Sequence, residues 1–228
     1  MATFALIHGS WHGAWCWEKL TPELERRGHR AVAVDLPSDD PAATFEDYAA
    51  AAVTALGEVD DLVVVGHSMG GLTIPLVAQR RPVRRLVYLA ALVPEVGLSF
   101  AEQQRRDGMI NPTYLDALTV VGDATEWTDA DLARELLYAD CDEDLFQAAF
   151  RRLRLQARHP LLKPYEPDTL PAAPSAYIVC ADDRMIDPGW SRRVATERLG
   201  AELVELPGSH SPFYSRPAAL ADALHQLV

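Results

Sequence analysis

Cysteine is scarce in this chain of 228 residues: there are three, Cys16, Cys141 and Cys180, set far apart. That count excludes a disulfide framework and a zinc knuckle, which need several cysteines at short, regular spacings. Positive charge is in short supply as well. Lys and Arg number 21 against 33 Asp and Glu, a net charge of −12, which makes nucleic acid and anionic lipid poor partners. Long apolar runs are missing too. Stretches such as Phe4–Ile7 fall far short of the roughly 20 residues that cross a bilayer. No basic segment with an apolar core and a small-residue cleavage site opens the sequence. These absences lead to the expectation of a cytoplasmic protein with no metal site, no nucleic-acid partner and no membrane partner.

What is present is the composition of a folded chain. Hydrophobic residues make up 49% and charged residues 24%, which sets aside collagen, coiled coil and disorder. At roughly 150 residues per domain, the length fits one domain with an insertion. Thr3–Ile7, Ala31–Leu36, Leu62–Gly66, Leu86–Leu92, Ala176–Ala181 and Glu202–Leu206 are short aliphatic runs. Most are apolar at successive positions, as a parallel strand covered on both faces requires. Between them Trp17–Arg27, Thr44–Leu56, Gly71–Gln79, Trp190–Leu199 and Pro217–Leu227 carry helical patterns. Alternation of this kind predicts an α/β fold with a mostly parallel sheet of about six strands. Residues 94–174 break the rhythm. Beside Leu118–Val121 they hold helical patterns, Asp129–Tyr138 and Asp142–Arg158, and then a proline-rich return. The expected division is a core of residues 1–93 and 175–228 with a helical cap inserted at 94–174.

The sharpest motif is Gly66-His67-Ser68-Met69-Gly70-Gly71, after a strand-like run and before a helical one. A serine turned sharply between strand and helix leaves no room for side chains two residues away, and its hydroxyl stands at the carboxyl end of the sheet. A glycine-rich turn that binds phosphate or nothing is the plainer alternative. Serine is a weak nucleophile without a base. Of seven histidines, His210 lies in Pro207-Gly208-Ser209-His210-Ser211-Pro212, directly after the last strand run. That is the sheet edge where open α/β folds gather ligands. His29 and His225 read as solvated residues beside helices, His159 as a cap residue and His67 as part of the turn.

A histidine base needs a carboxylate to hold its tautomer. Asp182 and Asp183 end the run Tyr177–Ala181, and the chain order Ser, Asp, His is that of an α/β-hydrolase. Asp183 is favoured, because a residue further past the strand lets the loop turn inward. Asp182 and Glu95 are its rivals, and Asp187 reads as a helix cap. Charge developing on a substrate oxygen calls for backbone N–H donors. Met69, next to the serine, supplies one; Ser10, in the loop His8-Gly9-Ser10-Trp11-His12-Gly13, is positioned for the other. Trp11, Trp15 and Trp17 cluster here and read as core packing, with Trp11 as an alternative wall of an acyl pocket. Trp127 is a candidate roof from the cap, with Met109, Tyr114, Leu136 and Phe146 either beside it or in the cap core.

Taken together, LIHGSWHGAWCWEKLTPELERRGHRAVAVDLP, VVVGHSMGG, LVYLAALVPEVG, LYADC, YIVCADD and LPGSHSPFYSRP resemble one branch of the α/β-hydrolases. That branch contains plant methylesterases and hydroxynitrile lyases with their bacterial relatives. The resemblance runs nearly end to end and is loosest in the cap. It implies a triad of Ser68, His210 and Asp183, oxyanion amides at Ser10 and Met69, and no cofactor. The implied activity is hydrolysis of a small, mostly apolar ester or lactone through an acyl-enzyme. The lyases of the branch carry a threonine after the first-loop histidine and a lysine after the catalytic histidine; here those positions are Gly9 and Ser211. With no ammonium to hold departing cyanide, the lyase alternative loses its main support. A ligand receptor on a hydrolase fold is a third reading, and a homodimer stays open. The first motif strand opens the sequence, so the two leading strands of larger members are expected to be absent.

Overall fold

Successive aliphatic residues become parallel strands wherever helices cover both faces, and all six expected runs do so in the computed structural model, which describes residues 1–167 and 169–228. Four strands precede the insertion: β1 (Thr3–Ile7), β2 (Arg30–Val34), β3 (Leu62–His67) and β4 (Arg85–Leu89). Three short ones lie within it: β5 (Leu118–Val121), β6 (Ala124–Trp127) and β7 (Gln156–Ala157). Then follow β8 (Ser175–Cys180) and β9 (Glu202–Leu206). The main sheet has the order β2-β1-β3-β4-β8-β9, parallel throughout. Its register sets Ile7 against Gly66 and Cys180 against Leu206, so the carboxyl ends line up along one edge.

Core helices are α1 (Leu20–Arg26), α2 (Phe45–Leu56) and α3 (Ile74–Arg80). The insertion adds α4 (Phe100–Asp107), α5 (Ala130–Leu137), α6 (Glu143–Phe150) and α7 (His159–Leu162). The chain closes with α8 (Pro188–Glu197), α9 (Pro212–Ser215) and α10 (Pro217–Gln226). Local chemistry explains several starts. Thr44 and Asp47 form a reciprocal cap for α2, Ser99 and Glu102 do the same for α4, and Asp142 caps α6. Packing does the rest: α1 lies against α10 and α2 against α3. Among the described residues no helix is long and apolar enough to cross a membrane.

Three expectations need correction. The insertion is not purely helical, because β5, β6 and β7 pair antiparallel into a three-stranded sheet. Strands of four and two residues are too short to leave a periodic pattern. The helix expected over Asp142–Arg158 stops at Phe150, because Arg154 leaves the helical path to bind the first loop. Its backbone N–H donates to the Trp11 carbonyl at 2.9 Å, and its guanidinium reaches the His12 and Leu36 carbonyls at 2.8 and 2.6 Å. His29 is also not solvated: its Nδ1 accepts the Ala2 N–H at 3.2 Å and its ring meets Phe4 edge-on.

Candidate active site

β3 delivers Ser68 to the carboxyl edge of the sheet with a left-handed backbone, φ 51°. A non-glycine residue held there stores roughly 1–3 kcal/mol of strain, and the turn explains its glycines. A Cβ on Gly66 would lie 2.7 Å from the Gly70 carbonyl oxygen, and one on Gly70 would lie 2.7 Å from that of Ile7. A short 3-10 helix, Ser68–Leu72, follows directly, so the Met69 N–H belongs to a first turn whose amides lack helical partners.

His210 is delivered by the loop between β9 and α9, and it is buried. Its Nδ1 lies 2.8 Å from Asp183 Oδ2. The other oxygen of Asp183 accepts the Met185 and Ile186 N–H groups at 2.8 and 3.0 Å. One carboxylate thus anchors its own loop and holds the imidazole with Nδ1 protonated, leaving Nε2 for chemistry. The rivals are elsewhere. Asp182 accepts the Gly208 N–H at 3.1 Å, Glu95 pairs with Arg106 and Arg198, and Asp187 caps α8.

The loop that carries His210 is gripped from several sides. Nε2 of His67 donates to the His210 carbonyl at 2.9 Å, and the two rings lie 4.6 Å apart. Asp140, from the α5–α6 junction of the insertion, accepts from Ser209 Oγ and, at 3.0 Å, from Arg216 Nε. Burial pushes the Asp140 carboxyl up, but hydrogen bonds from Ser209, Ser215 and Arg216 outweigh it and hold the group below its usual range.

Two further histidines set the first loop. His8 donates from Nδ1 to the Gly9 carbonyl at 2.8 Å while its Nε2 accepts the Leu36 N–H at 3.0 Å. A trans peptide points its N–H away from its C=O, so gripping the Gly9 carbonyl turns the Ser10 N–H in the opposite direction. His12 donates from Nδ1 to the Ser10 carbonyl at 2.8 Å and accepts from the Tyr138 hydroxyl at 2.6 Å. Both imidazoles must stay neutral to serve as acceptors. Burial enforces this, lowering His8 to about 4 and His12 to about 3. Gly9 lies against Ser68, since a Cβ there would be 2.8 Å from Ser68 Cβ. Ser10 Oγ donates to Met69 Sδ at 3.2 Å, which ties the first loop to the residue after Ser68.

In front of Ser68 lies a cavity of about 290 Å³, lined by Ser10, Trp11, Leu92, Phe100, Ile110 and Tyr114 among others. Trp11 is therefore on its wall, held by a 3.1 Å bond from Nε1 to Thr125 Oγ1. Trp127 is not. It backs Trp11 edge to face at 5.4 Å, because β6 places its ring one layer further from the cavity. Of the other cap candidates Tyr114 reaches the cavity, while Met109, Leu136 and Phe146 are cap core. Trp17 packs on Phe213 in the core, and Trp15, partly buried against that core, stacks on His12. Among the described residues no group of His, Cys, Asp and Glu side chains is placed to hold a metal ion.

Sequence reasoning missed the roles of His8, His12, His67, Arg154 and Asp140. The spacing of histidines around Gly9 and Ser68 was a usable signal for the first three. Nothing in the sequence pointed to Arg154 or Asp140, whose partners are far away in the chain.

A strand-to-helix serine, a histidine beyond the last strand and a carboxylate between them define an α/β hydrolase. The Alpha/beta hydrolase family pattern matches residues 4–223, and the chain belongs to that family. It is similar to "Probable esterase PIR7A" of Oryza sativa subsp. indica, 30% identical over 258 residues that cover 99% of this chain and 96% of that one. Methylesterase 7 of Arabidopsis thaliana is 28% identical, covering 99% and 95%. Among solved structures, a pyrethroid hydrolase from Sphingobium faniae JZ-2 superposes with a TM-score of 0.86 at 27% identity, covering 99% of this chain and 96% of that one.

Proposed function

We propose that the protein is a serine carboxylesterase acting on a small, mostly apolar ester or lactone, with Ser68, His210 and Asp183 as its catalytic residues. Ser68 Oγ attacks the carbonyl carbon as His210 Nε2 takes its proton, and Asp183 steadies the imidazolium that forms. The Ser10 and Met69 N–H groups hold the tetrahedral oxyanion. Collapse returns the proton to the leaving alcohol and leaves an acyl-enzyme. Water, deprotonated by His210, then releases the acid and restores Ser68.

The observation that carries this reading is the 2.8 Å His210–Asp183 bond at the same sheet edge to which a strained turn delivers Ser68. The esterase and hydrolase names of its relatives support it further. A cyanohydrin lyase finds no support: Ser211 carries no ammonium, and the 2.8 Å approach to Ser68 leaves no room for a side chain at Gly9. The relatives named above are an esterase, a methylesterase and a hydrolase by name, and none is named a receptor. In the same reading residues 1–93 and 175–228 form the catalytic core, and 94–174 a cap over the serine. Three free, buried cysteines suit a cytoplasmic location. Whether the chain pairs as a homodimer is to be read by light scattering.

The test is Ser68→Ala assayed with p-nitrophenyl and methyl esters of graded length. The variant is expected to keep its melting temperature, lose labelling by a fluorophosphonate and lose on the order of 10⁴–10⁶ in turnover. Retention of a tenth of the wild-type rate would refute the assignment.

A further inference from the structure

The cavity before Ser68 is apolar in its walls, and among the described residues its charges are of one sign. Arg105, on α4, and Arg158, just ahead of α7, both line it, and no described Asp or Glu does. The chain as a whole carries a net charge of −12. Most arginines here hold a carboxylate, as Arg27 does with Glu23 and Asp222, and Arg106 with Glu95 and Asp107. The two at the cavity differ. Among the described residues Arg105 has no carboxylate within ion-pair distance, and Arg158 reaches the Gly122 carbonyl at 3.4 Å. Both lie in solvent-exposed positions at the mouth. Beside them Leu115 and Leu162, also cavity residues, are each 61% exposed. The mouth is thus both apolar and cationic.

A guanidinium is a planar fork that matches a carboxylate, and it stays charged at any working pH. Glu102, one turn back on α4, feels the charge of Arg105, but among the described residues neither guanidinium has a carboxylate in ion-pair contact, so both stay open to an anion at the rim of an apolar cavity. The floor of that cavity is the reacting serine. We infer that the substrate is an ester whose apolar body carries a carboxylate at the end remote from the scissile carbonyl. The carbonyl meets Ser68 between the Ser10 and Met69 amides, the body lies along Trp11, Phe100 and Leu118, and the carboxylate sits with Arg105 and Arg158. Hydrolysis leaves the remote carboxylate untouched: water adds across the acyl–oxygen bond, giving one new acid and one alcohol. This inference rests on the esterase reading above and names its substrate class.

The test uses length-matched pairs, monomethyl adipate against methyl hexanoate and monomethyl suberate against methyl octanoate, followed by acid release. A solvent-facing ion pair is worth only a fewfold, so two together predict a preference of about tenfold in kcat/KM for the anionic member, seated mainly in KM. The preference is expected to shrink as salt rises from about 10 mM to 0.5 M, where screening shortens. In Arg105→Gln/Arg158→Gln the ratio of anionic to neutral kcat/KM is expected to fall to about one. Equal or better turnover of the neutral member at both lengths overturns the proposal, as does an unchanged ratio in the double variant. If no ester is hydrolysed, the esterase reading fails, and calorimetric binding of monomethyl suberate to Ser68→Ala decides the rest. Binding that weakens in the added Arg105→Gln/Arg158→Gln background sustains an anion-reading cavity. Binding that is absent, or indifferent to the arginines, ends the inference.

Discussion

Every residue of β1 and β3 is buried, whereas β5 in the insertion leaves Thr119, Val120 and Val121 exposed. The sheet is held by apolar packing, in which each fully buried aliphatic side chain contributes about 1.5–3 kcal/mol. The insertion is tied to the first loop and the His210 loop largely by polar bonds: Arg154 to the His12 and Leu36 carbonyls, Trp11 to Thr125, Asp140 to Ser209 and Arg216. The difference teaches a division of labour. The sheet edge sets where Ser68, Asp183 and His210 stand, while the insertion closes the cavity and steadies the loops that carry Ser10 and His210. Polar ties are directional and singly removable, so this division makes separable predictions.

The largest effect belongs to the sheet edge. Asp183→Asn is expected to lower kcat/KM by about 10⁴, because an amide can hold His210 in the wrong tautomer. Asp182→Asn and Glu95→Gln are expected to change it by no more than a small factor, as neither carboxylate meets His210. Steady-state kinetics on one aryl ester check all three. A greater loss from Glu95→Gln would move the acid to the segment after β4.

Next comes acid. His8 and His12 are held neutral by burial, at about 4 and about 3, against roughly 6.5 in an unfolded chain. A folded value below the unfolded one means that the unfolded chain binds more protons as pH falls. The stability these groups contribute is therefore present above pH ~6.5 and lost progressively below it. Between pH 7 and 5 each removes about 2 kcal/mol, about 4 kcal/mol for the two. His67, lowered by burial as well, acts in the same direction. Urea melts at pH 7 and 5 measure it, and His12→Gln is expected to flatten the slope. A stability unchanged between these pH values would mean the first loop is not built on neutral imidazoles.

The smallest effect tests the insertion. Asp140→Asn loses the charge that pairs with Arg216 while keeping an oxygen for Ser209, so the His210 loop loosens without changing the cavity wall. A slight misplacement of a catalytic group can cost up to about 100-fold, and the expected loss is about tenfold, in kcat with KM nearly constant. A rise in KM alone would show that Asp140 serves the substrate rather than His210.

The strands, the serine turn and His210 were legible because each is a local signal. Unbroken aliphatic runs state double burial, and glycines two residues either side of Ser68 state a backbone contact that admits no Cβ. Other features were not legible. β6 and β7 are too short for a period, and α6 ends where Arg154 finds carbonyls of the first loop. Trp127 looked like a cavity residue, yet β6 sets it behind Trp11.

By itself the sequence determined the alternation of strands and helices, the chain order of Ser, Asp and His, and the glycine-flanked turn at Ser68, since these follow from neighbours along the backbone. Which carboxylate meets His210, which nitrogen of His8, His12 and His67 carries a proton, and that Asp140 braces the histidine loop were decided only by tertiary structure. Each depends on a contact of about 3 Å between residues distant in the chain, and a hydrogen bond changes partner over a displacement that no local pattern records.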